Sequence, residues 1–265
     1  MHVDLFDRYD LRNSLVHAMD PRTKVILTVL FILSNVLLPD GAWPAFGLSF
    51  GLVLAASELS RLGIFYTVKR SFVALPFALA AVTAIFAIPG QPVAAFSLGP
   101  WDLVATGSGL ARFGSIVVRS WLSVQMAILL AATTQFPDLI HALRHLRVPS
   151  VLVAIVSFMY RYLFVLSDEA LRLLRARESR SARLAKAGQS IPLKWRAKVA
   201  GNMAGQLFLR SYERSDRIYS AMQARGFSGQ LLTLNPHELT PWDWLTGAIF
   251  LLILVAFQVL ARLLV

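Results

Sequence analysis

Two arginines in this chain are each set between small residues, in Ser179-Arg180-Ser181 and in Ala224-Arg225-Gly226. Small neighbours leave a guanidinium unobstructed, and its planar fork of donors suits carboxylates and backbone carbonyls on a partner. Arg225 closes an amphipathic stretch and Gly226 is a helix-ending residue, so the fork can project beyond the helix or turn back onto the helix's own last carbonyls. The residues alone leave both readings open. Other reactive spacings are weaker. His141 and His145 are four apart on a predicted helix, a spacing that can share a metal, but no carboxylate cluster accompanies them, and surface or interface histidines are expected. His2, Asp4 and Asp7 could meet at a cation, although a frayed N-terminal arm is the plainer expectation. The chain has no cysteine, hence no disulfide, no thiolate ligand and no Cys nucleophile. It has neither G-x-x-x-x-G-K-[ST] nor H-E-x-x-H, so no P-loop of its own and no zincin site. No catalytic residue, metal site or cofactor is expected.

The elements that must carry these arginines are set by composition. Of 265 residues, 56% are apolar and only 15% charged, which is too little charge to coat a soluble domain of this length. Disorder is excluded for the same reason, and lipid becomes the expected solvent. A crossing helix needs about 20 apolar residues. Runs of that kind cover Val25 to Leu38, Trp43 to Leu59, Phe72 to Ile88, Ser115 to Thr134 and Trp242 to Leu260. Asp20 is a good N-cap for the first, Pro21 suits its first turn, and Pro39-Asp40-Gly41 makes a turn after it. Pro76 predicts a kink in the third. Pro89 to Gly114, with its glycines and prolines, reads as loop. Trp242 and Trp244 suit a headgroup boundary.

Val151 to Leu166 is also apolar, but Arg161 interrupts it and basic residues flank it on both sides. A crossing there would bury a cation and export a basic cluster, so the segment is expected to lie at or dip into the cytoplasmic face. Five spans follow, with the N-terminus inside. All Lys and Arg residues except Arg112, Arg119 and Arg262 then fall inside, as the positive-inside bias requires. The formal charge of +11 thus reads as a basic cytoplasmic face rather than a nucleic-acid footprint.

The expected organisation is a cytoplasmic segment at 1–24, four spans within 25–134, a cytoplasmic domain at 135–241 and a last span within 242–265. The fold class is an all-α membrane protein with about five transmembrane helices and three amphipathic helices in the insertion. The first insertion helix covers about Pro137 to Leu146. The second starts after Pro149 and reaches about Lys186, and the third runs from about Leu193 to Arg225. Leu207, Phe208, Tyr212, Ile218, Tyr219 and Met222 recur at three- and four-residue intervals on the third, an apolar face that needs a partner. Thirteen basic and five acidic residues between Asp168 and Gln230 could also do no more than touch anionic headgroups.

With these residues in view, the chain resembles the transmembrane T component of energy-coupling factor (ECF) transporters, a branch of ABC importers, and within it the CbiQ type of cobalt transport. The resemblance covers essentially the whole chain. It includes Asp20-Pro21-Arg22-Thr23-Lys24, Tyr160-Arg161-Tyr162 followed by Asp168-Glu169-Ala170, and most specifically Ser211-Tyr212-Glu213-Arg214 through Gly226-Phe227. It implies a non-catalytic subunit of a bacterial inner membrane importer serving cobalamin biosynthesis. Two ATP-binding cassette ATPase subunits would hold Arg180 and Arg225 with their neighbours Ser179, Ser181, Ala224 and Gly226. The serines depart from the commoner Ala-Arg-Gly form, and Arg177 and Arg183 rival Arg180. A CbiM-like substrate-binding membrane subunit, with or without a small accessory membrane protein, would bind the cargo. It would lie against Val151, Ile155, Phe158, Tyr212, Tyr219 and Met222. Nickel or a vitamin such as biotin are alternative cargoes.

Two other classes fit less well. A conventional ABC permease carries an E-A-A…G loop, but here Leu171 follows Glu169-Ala170 and no Gly stands at the usual distance. An integral membrane enzyme would need a polar constellation at the membrane face, and the sequence offers none.

Overall fold

A computed structural model describes residues 9–98, 101–186, 192–229 and 240–264. The arm with His2, Asp4 and Asp7 and, of the helix break expected over 187–192, residues 187–191 lie outside the described residues. The chain divides into two compact units, residues 6–146 with 235–265 and residues 1–5 with 147–234.

In the first unit, α1 (Leu15–Ala18) precedes α2 (Pro21–Val36). Asp20 caps α2 by accepting from the Arg22 N–H at 2.8 Å, and Pro21 takes the first helical position, where no N–H is needed. Lys24 is buried at this end, and its Nζ donates to the carbonyls of His17 (3.1 Å) and Thr133 (3.0 Å). Then come α3 (Trp43–Leu59), α4 (Ile64–Arg70), a 3₁₀ turn (Ser71–Ala74), α5 (Leu75–Ala81) and α6 (Thr83–Ala87). Pro76 sits in the first turn of α5, so the expected kink takes the form of a 3₁₀ interruption and a fresh helix start.

Pro89 to Gly114 departs from the expected loop. Strands β1 (Pro92–Leu98) and β2 (Trp101–Thr106) pair antiparallel, with Phe96 opposite Leu103 and an irregularity between Pro92 and Ala94. Helix α7 (Gly107–Thr133) then begins eight residues before Ser115. Thr106 caps it by accepting from the Gly109 N–H at 3.1 Å. Gly109 is required there, because a Cβ would stand 2.4 Å from the Ile85 carbonyl oxygen. Glycines that read as loop are thus the residues that let α6 and α7 meet.

Helices α8 (Phe136–His145) and α11 (Pro241–Leu264) complete this unit. Its core joins Phe31 of α2, Phe46 and Val53 of α3, Leu122, Met126 and Leu129 of α7 and Leu254 of α11. The polar start of α11 is tied to that of α2: the Asp243 carboxylate accepts from Thr240 Oγ1 (2.6 Å), from the Thr240 N–H (3.0 Å) and from the Asp20 N–H (3.0 Å).

The second unit holds α9 (Ser150–Lys186) and α10 (Leu193–Ala224), of 37 and 32 residues. Among the described residues, four helical segments are long and apolar enough to cross a membrane: Ile64–Ala87, Gly107–Thr133, Ser150–Arg180 and Pro241–Leu263. Helix α3 is apolar but shorter, at 17 residues, and α2 has 16. At about 1.5 Å per residue α2 covers about 24 Å, so it meets a bilayer core only with its flanking residues included. By length and composition alone Ser150–Arg180 qualifies too; the cation at Arg161 and the basic flanks argue the other way.

Candidate functional site

Both singled-out arginines belong to the α9–α10 unit. Helix α10 ends in a complete Schellman arrangement. The Phe227 N–H donates to the Met222 carbonyl and the Gly226 N–H to the Gln223 carbonyl, each at 3.0 Å, with Gly226 at φ +78°. The Arg225 N–H also reaches the Met222 carbonyl, at 3.1 Å. Backbone donors therefore serve the Met222 and Gln223 carbonyls, which do not need the arginine side chain. Arg225 is exposed, and its guanidinium has no hydrogen bond or ion pair with another described residue. Ala224, before it, is the last residue of α10.

Arg180 is exposed on the last third of α9. Ser179 turns its hydroxyl back to the Ala176 carbonyl at 2.9 Å, which keeps it out of the arginine's way. Ser181 and Arg183 continue the helix, but their side chains lie outside the described residues. The structure thus puts one arginine on the flank of a long helix and the other just past the end of its neighbour.

The two helices are joined by a carboxylate that sequence reasoning passed over. Glu169, buried on α9, accepts from Arg210 Nη1 at 3.1 Å and from Arg214 Nη2 at 2.7 Å, one arginine on each oxygen. Hydrogen bonds from Arg210 and Arg214 hold its carboxyl below the usual range, against the opposing effect of burial. The string Asp168-Glu169-Ala170 was visible, but partners 41 and 45 residues away were not.

On one side of this clamp, an apolar groove of about 610 Å³ is lined by Val151, Ile155, Phe158, Tyr219 and Met222. Tyr162, Ile218 and Phe227 join them there. Five of the six apolar residues expected to meet a partner are thus gathered; Tyr212 is exposed but does not line the groove. On the other side lies a basic cavity containing Arg180.

The histidine pair sits in the other unit. His141 is buried, Arg22 Nη2 donates to its Nε2 at 2.9 Å, and its ring stands 4.6 Å from that of His145. Nε2 of His141 is thus engaged by a guanidinium. Among the described residues no three His, Asp or Glu side chains form a metal-binding group.

A model of the CbiQ family, described as cobalt transport protein, matches residues 12–236. The chain belongs to the CbiQ family. Its similarities extend across the wider ECF group. It is 27% identical over 234 residues to the energy-coupling factor transporter transmembrane protein EcfT of Leuconostoc gelidum, covering 84% of this chain and 83% of that one. It is 26% identical over 229 residues to the cobalt transport protein CbiQ of Salmonella typhimurium, covering 84% of this chain and 96% of that one. An uncharacterized protein of Methanocaldococcus jannaschii is 29% identical over 260 residues, covering 96% and 85%. The relatives named EcfT are transmembrane proteins of energy-coupling factor transporters, and four helical segments long and apolar enough to span a bilayer agree with a membrane-embedded chain.

Proposed function

We propose that the protein is the non-catalytic coupling subunit of an ECF-type importer in the bacterial cytoplasmic membrane. It carries the motion of two ATPase subunits to a substrate-binding membrane subunit. Arg225 and Arg180 are the docking points. Each would place its guanidinium fork in a groove of one ATPase, where carboxylates and carbonyls suit a rigid set of donors. ATP closes the ATPase pair, and hydrolysis lets it reopen. Helices α9 and α10 would move with the grooves as rigid levers, because packed helices shift as bodies rather than bending. The apolar groove around Phe158 and Met222 would face the substrate-binding subunit, which holds the cargo. Cobalt is the favoured cargo because the matching family is CbiQ. The names of the EcfT relatives specify no cargo, so nickel or a vitamin such as biotin stands as the second reading.

The observation that carries this reading is Arg225. It sits beyond a helix end whose Met222 and Gln223 carbonyls take backbone donors, and it is exposed, so its fork is available to another chain. Arg180→Ala with Arg225→Ala should abolish recovery of the ATPase pair and cobalt uptake while membrane insertion continues. Complex recovery and uptake at wild-type levels in that double variant would refute it. Uptake of labelled cobalt and nickel in parallel separates the two cargoes.

A further inference from the structure

Two long helices that pack together ordinarily turn apolar stripes toward each other. Beyond the Glu169 clamp, α9 and α10 do so only in part, through Leu173 on α9 and Trp195, Val199 and Met203 on α10. On α9, Arg172, Arg177 and Arg180 share the stripe with Leu173 and Ala176, at helical spacing. From α10, Arg210 and Arg214 face the same space, a cavity of about 940 Å³. Glu169 is the one carboxylate in its lining, and both its oxygens are already taken by Arg210 and Arg214. Arg172 and Arg180 have no carboxylate partner among the described residues, and Arg214 Nη1 is buried without an acceptor. Asn202 and Gln206 add neutral donors on the α10 side.

Guanidinium groups held this close repel one another unless an anion lies among them, and a concave wall concentrates their field. The fork geometry favours a tetrahedral oxyanion bound through paired N–H donors. We propose that the arginine-lined cavity between α9 and α10 binds a phosphate group, carried by an anionic lipid headgroup or free in solution. The cavity and the apolar groove share Arg214, and Arg180 is also the residue proposed above for ATPase docking, so the anion site rests on Arg172, Arg177 and Arg210 and is tested without ATPase subunits.

The test uses the purified full-length chain in nanodiscs of phosphatidylcholine, read by hydrogen exchange over residues 172–180 and 199–210. One arm adds millimolar inorganic phosphate. The other replaces part of the lipid with phosphatidylglycerol. Protection of both segments in either arm is the expected result, and the arm that gives it identifies the source. Arg172→Gln with Arg177→Gln should weaken the response about tenfold, since two charge-assisted contacts are lost. Arg196→Gln with Lys198→Gln removes the same charge from residues outside the lining and should leave the response intact. The wild-type exchange pattern decides independently of how well the variants fold. No protection in either arm, protection confined to other segments, or an equal loss in the Arg196/Lys198 pair would overturn the proposal.

Discussion

Arg225 is available to a partner because Met222 and Gln223 take their hydrogen bonds from backbone N–H groups. Glu169 is the opposite case, a side chain whose whole bonding capacity is spent inside the protein. Its carboxyl is held below its ordinary value of 4.5 by Arg210 and Arg214. The folded state therefore favours the ionised form. Its stabilising effect is complete above that ordinary value and is lost as pH falls through the folded one, where the clamp takes up its proton. Glu169→Gln should cost about 1 kcal/mol at neutral pH, a small figure because Arg210 is half exposed to solvent. Thermal unfolding of the two proteins should differ at about pH 7 and converge as pH falls below the ordinary carboxyl value of 4.5. Equal melting at neutral pH would remove Glu169 from the account. The small residues around Arg225 were legible in the sequence, whereas the choice of Arg210 and Arg214 as Glu169's partners depends on how two helices cross.

At the scale of the element, the end of α10 rests on one backbone conformation. Gly226 has φ +78°, and a Cβ added there would meet nothing within 4 Å. The cost of Gly226→Ala is therefore backbone strain alone, about 1–2 kcal/mol. That variant should fray the last turn of α10, seen as faster exchange of the Gly226 and Phe227 amides, and should weaken ATPase recovery with Arg225 intact. Unchanged exchange would show that the turn holds without its glycine. This helix end could be read in advance because Gly226 follows a long periodic stretch. The start of α7 could not. Gly107, Gly109 and Gly114 look like loop residues, and only packing reveals that Gly109 is needed for the approach of α6. The β1–β2 hairpin was hidden similarly. Its strands are short, and alanines dilute their alternation.

For the whole molecule, the side of the membrane on which α9 and α10 lie decides the docking proposal. Ser150–Arg180 is apolar enough to span, yet it carries Arg161 within it and basic residues at both ends. Because the chain contains no cysteine, single substitutions report position cleanly. Ser179→Cys and Ser228→Cys should both react with an impermeant maleimide only from the cytoplasmic side, in inverted vesicles. Labelling of either from the outside would place part of the coupling helices across the bilayer and end the docking proposal.

The sequence by itself determined that the chain is embedded in a membrane and where α3, α8, α9 and α10 start and stop to within a residue or two. Those properties follow from local composition, hydropathy and capping, all of which act within a few residues. Tertiary structure alone decided that Glu169 joins α9 to α10, that an apolar groove and an arginine-lined cavity flank that joint, and that Asp243 ties the start of α11 to Asp20. Each of these brings together groups far apart in the chain, and no local preference encodes which distant group a side chain will meet.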